Sequence, residues 1–155
     1  AEIAASPTGL AVEQFPDLME RTSGEAEGLT ISEYTAKYGK APWTDWSNPL
    51  SPGGESGIDF STRVTSAINR VAEEGRGRTT WVVCHGGVIM VTAITRWHGT
   101  VADPSSDLSM VPLASPMTSS ISEWRVEPVG GWRMTRYNDY THLVGVSSGE
   151  TPASI

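Results

Sequence analysis

An α/β sandwich is the fold class that three observations in this sequence predict. Helix, strand and helix patterns follow one another between Ser56 and Trp97. Within them the run Thr79-Thr80-Trp81-Val82-Val83-Cys84 is apolar on consecutive positions, as central parallel strands are. A terminal antiparallel hairpin completes the pattern. At 155 residues the chain suffices for one domain with a core and is short for two.

The elements read as follows. Ala1 to Ala5 looks like the last turns of a helix with no start signal before it, so the first residues read as a cut edge. Pro7 to Gly9 make a turn, and Leu10 to Phe15 interleave apolar and polar positions as a short strand does. Thr30 caps a helix running to about Tyr38, with Glu33 at the capping-box spacing. Residues 39–54 are rich in Pro and Gly, structureless by pattern, and of a length typical of lids or binding loops. From Ser56 to Glu74, Phe60, Val64, Ala67, Ile68 and Val71 fall at helical spacing, and Gly75 stops the helix. The strand Thr79–Cys84 hands over to His85-Gly86-Gly87. A second apolar helix then runs from Val88 to Trp97, with Gly99 as its stop. Residues 100–117 form an irregular connection. Thr118–Glu127 and Trp132–Tyr137, joined at Gly130-Gly131, read as the hairpin. A domain over residues 1–145 and a frayed tail over 146–155 are expected.

Composition narrows the function classes. The net charge is −7, and all of it comes from the first sixty residues, which hold three basic and ten acidic groups. Such a surface repels phosphate backbones, which argues against nucleic acid as a partner of this chain alone. One cysteine, Cys84, excludes an internal disulfide and a Cys-cluster zinc site. No apolar run reaches the roughly 18 residues of a membrane span, and no signal-peptide pattern is present. A cytoplasmic protein is the expectation. His85, His98 and His142 are far apart, without carboxylates at metal-ligand spacing and without an HExxH motif. No GxSxG marks a nucleophilic serine.

His85 stands where a buried strand meets a helix, the place where open α/β sheets hold ligands. Gly86 and Gly87 let backbone approach a ligand and leave helix-start N–H groups facing it, which suits an anion. Glu20 lies in a Gly-containing loop, where a carboxylate can serve as a general acid or remain a solvated surface group. Glu55 precedes the long helix, where negative charge is favourable in any case. Cys84 and His85, as neighbours on a strand, point to opposite faces and do not pair. Cys84 reads as core.

These residues in this order resemble the histidine phosphatase superfamily, the phosphoglycerate-mutase-like enzymes. Leu18 to Gly28 is similar to the family's L-x-E-x-x-x-G-x-x-E-G loop, and Pro52 to Arg63 to its P-x-G-E-S-x(n)-R segment. Val82 to Ile89 resembles its second histidine motif, and Asn138-Asp139-Tyr140-Thr141-His142-Leu143 its N-D-x-x-H-L. The resemblance covers nearly the whole chain. It implies a three-layer α/β/α sandwich that works without metal or cofactor on a small-molecule phosphomonoester. The closest flavour is the branch of alpha-ribazole phosphatases and broad acid phosphatases; one branch of the family is fused behind an RNase H domain. Carried over by position, Glu20 becomes the acid that protonates the leaving group, and His85 the histidine that holds the transferring phosphoryl. Arg21, Gly86 and Glu55 become substrate-binding positions.

One departure is plain. The family's nucleophile is the histidine of an Arg-His-Gly motif on the first strand, and no such tripeptide occurs here. Arg96-Trp97-His98-Gly99 imitates it with an inserted Trp at a helix end. The expectation is therefore the C-terminal part of a domain, lacking its first strand and inactive alone. A non-catalytic pseudophosphatase and a phosphoglycerate mutase are the alternatives.

Overall fold

The computed structural model describes residues 1–42, 45–98, 115–128 and 130–145, with the backbone alone at Trp97 and His98. Its organising element is the helix α3, Gly57–Glu74. Ser56 caps it: its hydroxyl accepts the Asp59 N–H at 3.0 Å and donates to the Asp59 carboxylate at 2.6 Å, so a first-turn donor is satisfied. The stripe read from the sequence is the buried one. Phe60, Val64 and Ala67 face inward and meet Val88 and Val91 of helix α4, Gly86–His98. Leu18, in the 3₁₀ turn Pro16–Leu18, closes the same cluster, with Phe15, Trp46, Ile68, Val71 and Cys84 packed around it.

A second, smaller core lies beside this one. Helix α2, Ile31–Tyr38, begins with the expected capping box between Thr30 and Glu33. Tyr34 is fully buried against Ala26 and Leu50, and its hydroxyl donates to the Leu50 carbonyl at 2.8 Å. The described part of the long loop is built rather than loose. The Asp45 carboxylate accepts the N–H groups of Ser47 and Asn48 at 3.1 and 3.2 Å. The Ser51 hydroxyl accepts the Ala26 N–H and donates to the Ser23 carbonyl at 2.6 Å. At the N-terminus, the short helix α1, Glu2–Ala5, matches the helical reading of the first residues.

The sheet among the described residues is a hairpin of β1, Ile121–Val126, and β2, Trp132–Asp139. Val126 stands opposite Trp132 and Trp124 opposite Met134, with irregularities on either side of Glu123. Two expected strands differ from the reading. Residues 79–84, expected as a buried central strand, form no ladder with any described segment. Trp81 is 78 % and Val83 60 % exposed. Residues 10–15, the other expected strand, likewise form no ladder with any described segment, and Leu10 is 72 % exposed. The reason is physical: a helix closes its own hydrogen bonds, whereas a strand exists only beside another. The fourth helix starts at Gly86, two residues earlier than its apolar spacing suggests. The expected stop at Gly99, most of the 100–117 connection and the 146–155 tail lie outside the described residues. No described helix is long and apolar enough to cross a membrane.

Candidate active site

Glu20 lies two residues past the Pro16–Leu18 turn, so the burial of Leu18 brings it to the start of α4. Its side chain is exposed, and both oxygens are engaged. One accepts the N–H of Arg21 at 2.9 Å and the other the N–H of Gly87 at 3.0 Å. The helix start that the sequence suggested for an anion thus holds a carboxylate drawn from 67 residues away. Glycine leaves the room for this approach. A Cβ at residue 87 would stand 2.2 Å from a Glu20 oxygen. Glu20 and the His85-Gly86-Gly87 turn, separate in the sequence, are brought together.

His85 is exposed and precedes the helix, its carbonyl accepting the Ile89 N–H at 3.2 Å. Gly86 is the first residue of α4. Cys84 turns inward instead and packs on the core. Burial, with a smaller contribution from the Glu20 charge, pushes its thiol up to about 11. It is no nucleophile at neutral pH, as the alternation along the chain indicated.

Arg21 points away from Glu20 into the protein and is 8 % exposed. Its Nε donates to the Glu55 carbonyl at 2.9 Å and an Nη to the Asn48 carbonyl at 3.3 Å, and its guanidinium lies over the Trp46 ring. Burial lowers its pKa, with Glu55 opposing the shift. The Glu55 carboxylate is taken by Arg63 in a two-pronged pair, Nε at 2.9 Å and Nη2 at 2.7 Å. That hydrogen-bonded carboxylate raises the Arg63 pKa. Arg63 was quoted in the sequence only as the last residue of a motif. The signal that marks it is a lone cation on the helix between the buried Phe60 and Val64.

The other end of the resemblance is structural. Asn138 takes a positive φ of 50°, and its side chain accepts the Met117 N–H at 2.7 Å. Asp139 accepts both the N–H and the hydroxyl of Thr141, which hold its carboxyl below the usual range. Two hollows among the described residues lie elsewhere, one against Tyr38 and Leu50, the other between α4 and the hairpin. The Glu20–Gly87 contact is on open surface, reachable by a small ester.

Comparison with known proteins identifies the family and the fold. The sequence profile described as histidine phosphatase superfamily (branch 1) matches residues 1–139. The chain is 27 % identical over 145 residues to a Bacillus subtilis (strain 168) protein named uncharacterized phosphatase PhoE, covering 94 % of this chain and 66 % of that protein. It is 29 % identical over 148 residues to phosphoglycerate mutase-like protein 4 of Arabidopsis thaliana, covering 92 % and 60 %. The chain thus spans less than two thirds of the length of these curated relatives. The solved structure of Bacillus stearothermophilus YhfR superposes with a TM-score of 0.72 at 20 % identity, over 92 % of this chain and 68 % of that one. The fold is therefore the phosphoglycerate-mutase-like α/β type that the resemblance implied. With a profile match over nine tenths of its length, the chain belongs to the histidine phosphatase superfamily, branch 1.

Proposed function

We propose that the intact domain hydrolyses small phosphomonoesters through a phosphohistidine, with Glu20 as general acid and His85 as a donor to the transferring phosphoryl group. The observation that carries this reading is the Glu20 carboxylate seated on the Gly87 N–H, two residues beyond His85. It sets a proton carrier on the helix start that follows His85.

In this reading an imidazole attacks phosphorus in line, and the bond to the ester oxygen breaks as the bond to nitrogen forms. Glu20 gives its proton to the departing alkoxide. Its carboxylate then takes a proton from the water that cleaves the phosphorus–nitrogen bond, which restores the acid. His85 and the Gly86 N–H hold the phosphoryl oxygens, whose charge is what such sites stabilise. The attacking imidazole belongs to an Arg-His-Gly segment that these 155 residues do not contain. On the same reading they release no phosphate by themselves.

The test is Glu20→Gln in the full-length protein, assayed on an alkyl phosphate and on nitrophenyl phosphate. Loss of a general acid slows the alkyl ester by about 10² to 10⁴-fold and the nitrophenyl ester far less, because nitrophenolate leaves without a proton. Equal slowing of the two esters would refute the role given to Glu20.

A further inference from the structure

We infer that Glu55 and Arg63 form a positioning frame for Glu20, an inference that rests on the reading of Glu20 as the acid. Glu20 is exposed, and its loop has no helix or ladder of its own to fix it. What fixes it is bracketing. On the side before it, Arg63 Nη1 donates to the carbonyls of Asp17 at 2.8 Å and Met19 at 3.1 Å. The Met19 carbonyl belongs to the peptide plane from which Glu20 leaves, so this contact sets where the side chain starts. On the side after it, Arg21 is pinned through the Glu55 carbonyl, and the Glu55 N–H donates to the Thr22 carbonyl at 3.0 Å.

Glu55 is the common reference for both sides. Its carboxylate grips Arg63, its carbonyl grips Arg21 and its N–H grips residue 22. With both carboxylate oxygens taken by Arg63, Glu55 acts through Glu20 rather than on the substrate. The geometry needs an arginine at 63. Four bonds to three residues diverge from one rigid planar fork, and a lysine ammonium on a single point does not span them. The pair is mostly shielded, with 25 % of the Arg63 and 17 % of the Glu55 side chain exposed, so water competes weakly for it.

A residue that only supports the fold would slow every substrate alike, so the experiment reads two quantities that a fold defect does not move selectively. The variants are Arg63→Met, which keeps an unbranched side chain but removes the guanidinium that lies over the Phe60 ring, and Arg63→Lys, made in the full-length protein. The first quantity is the Gly87 amide resonance, which Glu20→Ala displaces by removing its acceptor. Arg63→Met should displace it in the same direction, and Arg63→Lys should restore it only in part, while the amides of α2 stay in place. The second is the leaving-group split. Arg63→Met should slow the alkyl phosphate by about tenfold to a hundredfold, the cost of misplacing a reacting group by an ångström, and nitrophenyl phosphate much less. The double variant with Glu20→Gln should be no slower than Glu20→Gln alone. A Gly87 resonance unmoved in folded Arg63→Met overturns the frame, as does equal slowing of both esters. If Glu20→Gln itself shows no split, the acid role fails, and the Gly87 resonance still decides whether the frame holds Glu20. Should Arg63→Met not fold, Glu55→Gln, which weakens the grip at unchanged shape, is read by the same two quantities.

Discussion

The unit built on α3 and the segment 79–84 are both apolar in sequence and have opposite fates in the structure. Phe60 and Val64 are buried to 2 and 0 % exposure, whereas Trp81 and Val83 stand 78 and 60 % exposed. The difference is not hydrophobicity. A helix satisfies its own backbone and needs only one face covered, which α4 and Leu18 do. A strand needs a neighbour to take its backbone N–H and C=O groups and a packed layer to cover its side chains, and residues 79–84 have no ladder among the described residues. An unpaired apolar run of this kind is a template for pairing with another strand.

The largest expected effect tests that contrast directly. Phe60→Ala should destabilise the protein by about 3 to 5 kcal/mol, as deletion of a buried aromatic does. Val83→Ala should stay within about 0.5 kcal/mol, as an exposed position does. Urea denaturation of both variants measures this. If Val83→Ala costs as much as Phe60→Ala, residues 79–84 are covered in solution, and the contrast is gone.

A sharper probe compares two glycines. Gly24 and Gly77 both have positive φ, 61° and 75°. A Cβ at Gly77 meets nothing within 4 Å, while one at Gly24 would lie 2.3 Å from the Pro52 carbonyl and the Gly54 nitrogen. Alanine should cost about 1 to 2 kcal/mol at residue 77 from backbone conformation alone. At residue 24 the clash adds about 1 to 3 kcal/mol more. Equal losses would mean that the loop at 20–28 and the loop at 50–55 are not in contact.

The smallest effect concerns Cys84, the one member of the 79–84 run that turns inward. Its thiol is raised from 9.0 to about 11. The folded state therefore disfavours the thiolate. The stability contribution is complete below pH 9 and declines as pH rises towards 11. Relative to Cys84→Ala, the wild type should lose ground in that window only. A gap constant from pH 7 to 11 in parallel melts would place the thiol in water.

What was legible in the sequence follows the same division. The Thr30 cap and the Phe60–Val64–Ala67 stripe are local signals, because capping and helical spacing act within a turn or two. Each is found where it was read. The hairpin was legible for the same reason, its turn being marked by two adjacent glycines. The Thr79–Cys84 strand was misread because apolar residues in a row state a demand for neighbours without supplying them. At the site, residue types pointed to His85 and Glu20 separately, and their approach through Gly87 is a contact between distant residues that no local pattern encodes. Arg63 was overlooked for a related reason. Its partners sit 8, 44 and 46 residues away, and only the folded chain brings them within reach of one guanidinium.

The Glu20–Gly87 hydrogen bond also has a consequence for the order in which the molecule assembles. Closing a loop of 67 residues for one hydrogen bond, worth about 1 kcal/mol, is unfavourable, since loop-closure entropy grows with length. The contact forms once α3, α4 and Leu18 have already docked and shortened the path between the two residues. A nascent or partly unfolded chain therefore holds Glu20 and His85 without holding them together. The candidate chemistry becomes available in the same cooperative step as the core, and it is lost in that step when the core opens.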